Sequence, residues 1–366
     1  VNHAPDIAVR GLLDGVVRAG IAPGAVAGWQ PWSEAEPTVV ASGQAAVRPA
    51  VDVMTEEMWF DLASLTKPLV ITSLVALLVR NGDLSLETTV AHVIPELDGK
   101  ELGRRRIRHL LNHTSGLPAW EPFYAIASSS EPPEVIRALG GMGVGEIGEE
   151  VVYSCPGFVL LGLILERLTD TRLDELHRRL VIEPLGLTSE IGFRPPPDTP
   201  LSAGALAPVA ECHLMTERGL DPVAVPAVKC GLPDDGNARF LGGVSGNAGL
   251  FGTIRGVLGL ARAMAIPGAL LTAKEITLTT RDHTPTLGQS RGLGWQLAGS
   301  PGSSAGPALS PIAFGHNGFT GTSLWIDPVR RLTMALLTNR NHPVHRGGDL
   351  HPLRRRFHQL VVEATG

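Results

Sequence analysis

Apolar positions recur at helical spacing from Asp6 to Ala19, at Ile7, Val9, Leu12, Leu13, Val16 and Val17, and Gly20 stops the pattern. Gly24 to Trp29 and Thr38 to Ala41 then read as two strands of a hairpin, leading to a third β-prone segment that ends near Leu62. From Leu65 to Val79 the spacing returns to that of a helix, with Ser64, Lys67 and Pro68 in its first turn and Asn81-Gly82-Asp83 at its end. A long helical region follows, with helices expected at Thr88 to Ile94, Ile107 to Asn112, Pro133 to Leu139, Gly157 to Leu168 and Leu173 to Val181. The glycine-rich stretch Gly242 to Gly249 lacks the Lys-Ser/Thr ending of a phosphate loop and reads as a tight connection into a helix from Thr253 to Ala265. Strand patterns return at Gly292 to Ala298, Pro311 to Gly315, Thr322 to Ile326 and Leu332 to Thr338, before a last helix from about Leu350 to Ala364.

Strands at both ends with helices between them predict an α+β fold, in which both termini build one antiparallel sheet flanked by helices. The mostly helical lobe is inserted into it, giving a sheet domain of residues 1–80 and 240–366 and a helical domain of residues 81–239.

Composition changes this picture little. Of 366 residues, 43% are hydrophobic and 18% charged, which is globular and long enough for a sizeable core. The net charge of −5 gives no field for nucleic acid. The arginine clusters at 104–108 and 354–356 read as solvated faces, with an acidic or phosphorylated carrier as the alternative use. Leu69 to Val79 is too short for a membrane span. Cys155, Cys212 and Cys230 are an odd number without metal-ligand spacing, which argues for a reducing, cytoplasmic setting and against a zinc site; a Cys212–Cys230 bridge stays open. No signal peptide is visible, yet the absent initiator Met leaves open a removed leader and a secreted or periplasmic protein.

Ser64 and Lys67, three apart on one helical face, form a nucleophile that an amine can serve. The helix N-terminus beside them favours anionic groups and lowers the proton affinity of Lys67. Two further stretches give this pair partners: Tyr153-Ser154-Cys155, just before an apolar helix, and His316-Asn317-Gly318, between two C-terminal strands. With these in order the chain resembles the serine β-lactamase and penicillin-binding-protein superfamily, in its class C-like branch of esterases and transacylases. That family carries Ser-x-x-Lys, Tyr-x-Asn, and Lys-Thr-Gly or His-x-Gly in sequence. Supporting likeness runs through His113 to Pro118, Leu241 to Gly252 and Gly321 to Pro328.

The resemblance implies acyl transfer without a cofactor or metal. Ser64 would attack a carbonyl, Lys67 and a Tyr153 of lowered pKa would remove its proton, and the backbone N–H groups of Ser64 and Phe319 would hold the oxyanion. His316 completes the third element, Gly318 would let the acyl group lie close to the strand, and Asn317, Cys155 and Trp120 would border the substrate. Two departures narrow the chemistry. Cys155 stands where the family has an amide side chain, and a thiol recognises substrate amides poorly. His316 stands where lactamases carry lysine, and a near-neutral imidazole binds carboxylates weakly. Both favour a small-molecule ester or thioester over a lactam or peptide. The competing readings are an acyltransferase serving an acceptor or acyl carrier, a β-lactamase or D-amino-acid peptidase, a non-catalytic acylation sensor, and Cys155 as nucleophile.

Overall fold

The computed structural model describes residues 4–203, 231–343 and 347–366, so Cys212 and Cys230 lie outside the described residues. An antiparallel seven-stranded sheet runs in the order β3-β2-β1-β10-β9-β8-β7. Its strands are β1 (Gly24–Pro31), β2 (Thr38–Ala46), β3 (Asp52–Val53), β7 (Gln296–Leu297), β8 (Phe314–Asn317), β9 (Ser323–Asp327) and β10 (Leu332–Thr338). The two ends of the chain meet at its centre, where β1 pairs with β10 in the register Ala25↔Thr338 to Pro31↔Leu332.

β10 is buried at every position and β1 at all but the last, because helices cover both faces. This is why the central strands read as continuous apolar runs instead of alternating ones. One face carries the Ala4–Arg18 and His351–Thr365 helices over Val9, Leu13, Trp29, Trp325 and Phe357. The other face packs on the Ile254–Ala265 helix and on the segment that follows Ser64, and its core continues without a break into the helical lobe. The centre of that lobe is the Cys155–Thr169 helix, apolar almost all round and accordingly buried at Phe158, Val159, Leu160, Leu161, Ile164 and Leu165.

Several sequence expectations need correction. The third N-terminal strand does not join the hairpin's sheet: β4 (Phe60–Asp61) belongs to a separate three-stranded sheet, in the order β4-β6-β5 with β6 (Phe251–Gly252) and β5 (Ile191–Gly192). The strand expected over Gly292 to Ala298 shrinks to β7, because Gly294 takes a positive φ of 78° to pass within van der Waals contact of Thr72. The helix Ala273–Thr280, with Thr272 and Glu275 as a capping box, was not anticipated. Apolar content from Ala63 to Asn81 reaches membrane-span length, but 83% of that window is buried inside the fold, as in a core helix. Neither arginine cluster is simply solvated: Arg105 is buried on the carbonyls of Ser115 and Gly145, and Arg354 on that of Thr322.

Candidate active site

The Ser64 segment does not begin as a regular α-helix. Ala63–Leu65 forms a 3₁₀ turn, Lys67–Thr72 a π-helical turn, and only Ser73–Asn81 is α-helical. Side chains three apart eclipse in a 3₁₀ turn, and the wider turn that follows is a distortion found often at functional sites. The result is a Lys67 Nζ that lies 2.9 Å from Ser64 Oγ. Ala63, immediately before the serine, sits at φ 48°, a left-handed conformation that is strained for a residue with a Cβ. Asp61 anchors that strain: its Oδ1 accepts the Ala63 N–H at 2.9 Å, and its Oδ2 accepts the Asp234 N–H at 2.7 Å. Burial, with the charge of Asp234, pushes the Asp61 carboxyl up to about 7.

Lys67 is fully buried, and its three protons have three acceptors. Besides Ser64 Oγ, these are the Asn247 carbonyl at 2.9 Å and the Tyr153 hydroxyl. Burial alone would pull the amine down, but the negative charge that Cys155 and Tyr153 carry once ionised, and the Tyr153 hydrogen bond, reverse this, leaving Lys67 above the ordinary lysine range. The Tyr153 hydroxyl, in turn, is hydrogen-bonded to both Lys67 and Ser64. Its burial outweighs the neighbouring ammonium and holds the phenol above its ordinary value. The expected direction is therefore reversed for both groups: at neutral pH the resting pair is an ammonium and a neutral phenol.

Tyr153 is held by rings and cations on several sides. His113 lies 4.7 Å away between centroids, His316 lies 5.8 Å away, and the Arg291 guanidinium sits 5.8 Å from the ring centre. His113 fixes the turn that carries the tyrosine, because its Nδ1 accepts the Ser154 N–H at 3.0 Å. Ser154 then caps the following helix by accepting the Gly157 N–H, and donates its hydroxyl proton to the Pro118 carbonyl.

His316 is the third residue of β8, not part of a loop, and is buried. Its Nδ1 donates to the Asn317 carbonyl at 2.8 Å, and its buried Nε2 has no hydrogen-bond partner among the described residues. Burial, reinforced by Lys67 and Arg291, holds it well below the usual histidine range, so it is neutral, as expected. Asn317 alternates to the opposite side of the strand, where its Oδ1 accepts from Ser304, so its side chain does not join the cluster. Gly318 has a packing reason that differs from the one anticipated: a Cβ there would stand 2.0 Å from Thr322 Oγ1 and 2.8 Å from the Leu62 carbonyl. Bare backbone is what lets the end of β8 close onto the nucleophile turn, where Thr320 and Thr322 donate to the Asp61 and Leu62 carbonyls. Phe319 follows at this junction with its side chain partly exposed and Arg340 5.5 Å from its ring centre. Trp120 follows Ala119, whose carbonyl accepts the Cys155 N–H, and its ring packs at 6.4 Å from that of Tyr124.

Cys155 starts the central helix with its thiol against Lys67 and Asn247. Burial raises it above the ordinary thiol value, so it is protonated at neutral pH and not the thiolate a cysteine nucleophile requires. Asn247 and Arg291 were missed as site residues. Asn247 holds Lys67 through its backbone carbonyl, which no side-chain motif signals, and Arg291 reaches Tyr153 from a segment whose spacing carries no sign of it.

A sheet made by both termini, a helical lobe inserted into it, and a Ser–Lys–Tyr cluster where they meet define a serine hydrolase of β-lactamase-like architecture. The family model described as Beta-lactamase matches residues 14–359, and the chain belongs to that family. A putative D-alanyl-D-alanine carboxypeptidase of Salmonella enteritidis PT4 is 29% identical over 321 residues, covering 79% of this chain and 71% of that protein. One of the same description from Escherichia coli K12 is 28% identical, covering 77% and 69%. Among solved structures, EstCE1, described as a hydrolase with promiscuous acyltransferase activity, matches with a TM-score of 0.74 at 23% identity, over 97% of this chain and 98% of its own. A class C β-lactamase matches with a TM-score of 0.74 at 18% identity, covering 98% of both. At these identities the structural likeness concerns the fold alone.

Proposed function

We propose that this protein is a serine acyl hydrolase that cleaves carboxylic esters through an acyl-enzyme on Ser64. The observation that carries the reading is the closed hydrogen-bonded set of Ser64 Oγ, Lys67 Nζ and Tyr153 Oη, with the first pair at 2.9 Å. Ser64 Oγ attacks the ester carbonyl as its proton passes to an ionised Tyr153, and the carbonyl π electrons move to the oxygen. Lys67 stays charged beside both atoms and stabilises the phenolate and the developing negative charge. The backbone N–H groups of Ser64 and Phe319 are the proposed oxyanion donors. When the tetrahedral adduct collapses, the bond to the leaving alkoxide breaks and Tyr153 returns its proton to that oxygen. Water then enters by the same route in reverse. Because the resting phenol is held above its ordinary value, only a small share is ionised at pH 7. kcat/KM for a neutral ester is therefore expected to rise from pH 6 to pH 9, the opposite of a profile governed by a histidine general acid.

Ester preference rests on Cys155 and on the neutral His316, which together offer neither an amide nor a cation at the two positions where lactam and peptide substrates are gripped in the family. Steady-state kinetics on p-nitrophenyl butyrate, a chromogenic cephalosporin and a D-alanyl-D-alanine peptide test this directly. The ester should be the best substrate. Cys155→Asn should raise the ratio of lactam to ester kcat/KM about tenfold, the size of one recovered hydrogen bond. A wild type that prefers the dipeptide would instead support the carboxypeptidase reading, which the names of the curated relatives favour. Transfer to an alcohol or amine uses the same acyl-enzyme and would appear as product formation that depends on the acceptor.

A further inference from the structure

Arg291 is buried to 7% exposure, and among the described residues Tyr153 is the one group whose ionised form would favour its charge. Its Nη2 donates to Gln289 Oε1 at 2.8 Å, while its buried Nε has no hydrogen-bond partner among the described residues. A buried, incompletely bonded guanidinium with no carboxylate paired to it among the described residues costs stability, so packing gives no reason for it. The backbone nevertheless holds it firmly. The Arg291 N–H donates to Thr284 Oγ1 at 2.9 Å, its carbonyl accepts the His283 N–H at 2.8 Å, and Gly294 ties the segment to Leu111 at 2.9 Å. The Leu293 carbonyl also accepts from Thr72, at the end of the π-helical turn that begins with Lys67.

We propose that Arg291 is a positioning residue for the ester chemistry above, a second fixed cation that holds Tyr153 and helps the Lys67–Tyr153 pair give up a proton so that the pair can take that of Ser64. The inference rests on the acyl-hydrolase reading and deepens it. The groups facing Tyr153 are Lys67 from the nucleophile turn, His113 from the loop before Trp120, Cys155 on its own segment, His316 from β8, and Arg291. Asp235 acts on Lys67 and Cys155 from the residues before β6. Both imidazoles are neutral, so among the described residues Arg291 is the one permanent cation against the ring besides Lys67. It restores from another segment the positive charge that a lysine at position 316 would have supplied.

The chain has two tyrosines, Tyr124 and Tyr153, so in a Tyr124→Phe background the ζ-carbon of ¹³C-labelled tyrosine reports Tyr153 alone. Arg291→Gln should raise the titration midpoint by about one unit or more, and Arg291→Lys should restore most of it. In parallel, kcat/KM for a neutral ester at pH 7 should fall about tenfold in Arg291→Gln, with KM little changed and the acid limb displaced to higher pH. If the glutamine variant does not fold, Arg291→Met, which keeps the apolar stem, replaces it. An unmoved midpoint in a folded charge-removing variant overturns the proposal. So does a rise in KM confined to carboxylate-bearing esters with the limb in place, which would make Arg291 an anion-recognition residue. The titration needs no turnover: a wild type that never acylates Ser64 refutes the hydrolase reading, and the midpoint still decides the effect of Arg291 on Tyr153.

Discussion

Lys67→Met is expected to slow acylation of Ser64 by ~10³-fold or more while leaving the melting temperature equal to or above that of the wild type. The loss follows from geometry: a cation that touches both the nucleophile and the phenol disappears, and burial then holds Tyr153 still further from ionisation. The gain, or absence of loss, in stability follows from burial. Lys67 has no exposed surface, and the fold carries its desolvation cost to keep a charge beside Ser64. Methionine fills much the same volume without that cost, offset in part by the acceptor left bare at the Asn247 carbonyl. Stopped-flow acylation with an activated ester and thermal unfolding of the same preparation check both halves. Opposite movement of activity and stability is the signature of a residue kept for chemistry. A Lys67→Met protein that keeps acylating at the wild-type rate, or that melts far below it, would assign Lys67 to the fold alone.

Acid should unfold the protein from about pH 6 downward. His113, His177, His316 and His358 are all buried, and burial is the leading cause that holds each below the usual histidine value, with His177 and His358 down at about 4. Burial outweighs the carbonyl bonds of His177 and His358, which favour a protonated ring, while the bond of His113 requires a neutral one. His113 accepts the Ser154 N–H, while His177 and His358 each meet a backbone carbonyl, those of Leu69 and Ala305. For groups whose folded pKa is depressed, the stability belonging to the neutral form is complete above the unfolded value near 6.5 and is lost as pH falls towards the folded value. Each contributes up to ~1.4 kcal/mol per pH unit in that window, so even at half that size the four together remove ~6 kcal/mol over two units, while Asp61, whose carboxyl is held up to about 7, works the other way as it takes its proton and returns ~1.4 kcal/mol on the same terms. The net loss is a large part of a domain's whole stability. Chemical denaturation at a series of pH values should show this slope, and His358→Gln should flatten it without touching the site. A stability that is level between pH 7 and pH 5 would contradict the neutral burial of these rings.

How much of this was legible in the sequence varies with the kind of information. The central strands and the long helices are visible because β1, β10 and the Cys155–Thr169 helix are buried on all sides and therefore read as unbroken apolar runs. Ser64, Lys67, Tyr153 and His316 come together as the order of their motifs implies, since each motif is a local turn that the sheet and lobe merely bring face to face. Less legible was anything set by tertiary environment. The Ser64–Lys67 spacing suggests a helix, but Ala63 at positive φ and the π-helical turn depend on Asp61 and on the β8 junction far along the chain. The protonation of Tyr153 and Lys67 came out opposite to expectation, Tyr153 because burial outweighs the neighbouring ammonium and Lys67 because Cys155 and Tyr153 outweigh burial, and neither balance can be read from spacing. Asn317 looked like part of the site from its place in the motif, yet strand alternation turns it to Ser304. Asn247 and Arg291 reach the cluster from segments with no chemical motif of their own.

The central claim is that the acyl group is carried on Ser64. Intact-mass measurement after brief exposure to an activated ester, on wild type, Ser64→Ala and Cys155→Ala, tests it most directly. The arrangement of Ser64, Lys67 and Tyr153, with a protonated Cys155 thiol, predicts one acyl adduct on the wild type, the same adduct on Cys155→Ala, and none on Ser64→Ala. An adduct that survives in Ser64→Ala and vanishes in Cys155→Ala would move the nucleophile to the thiol and contradict the mechanism.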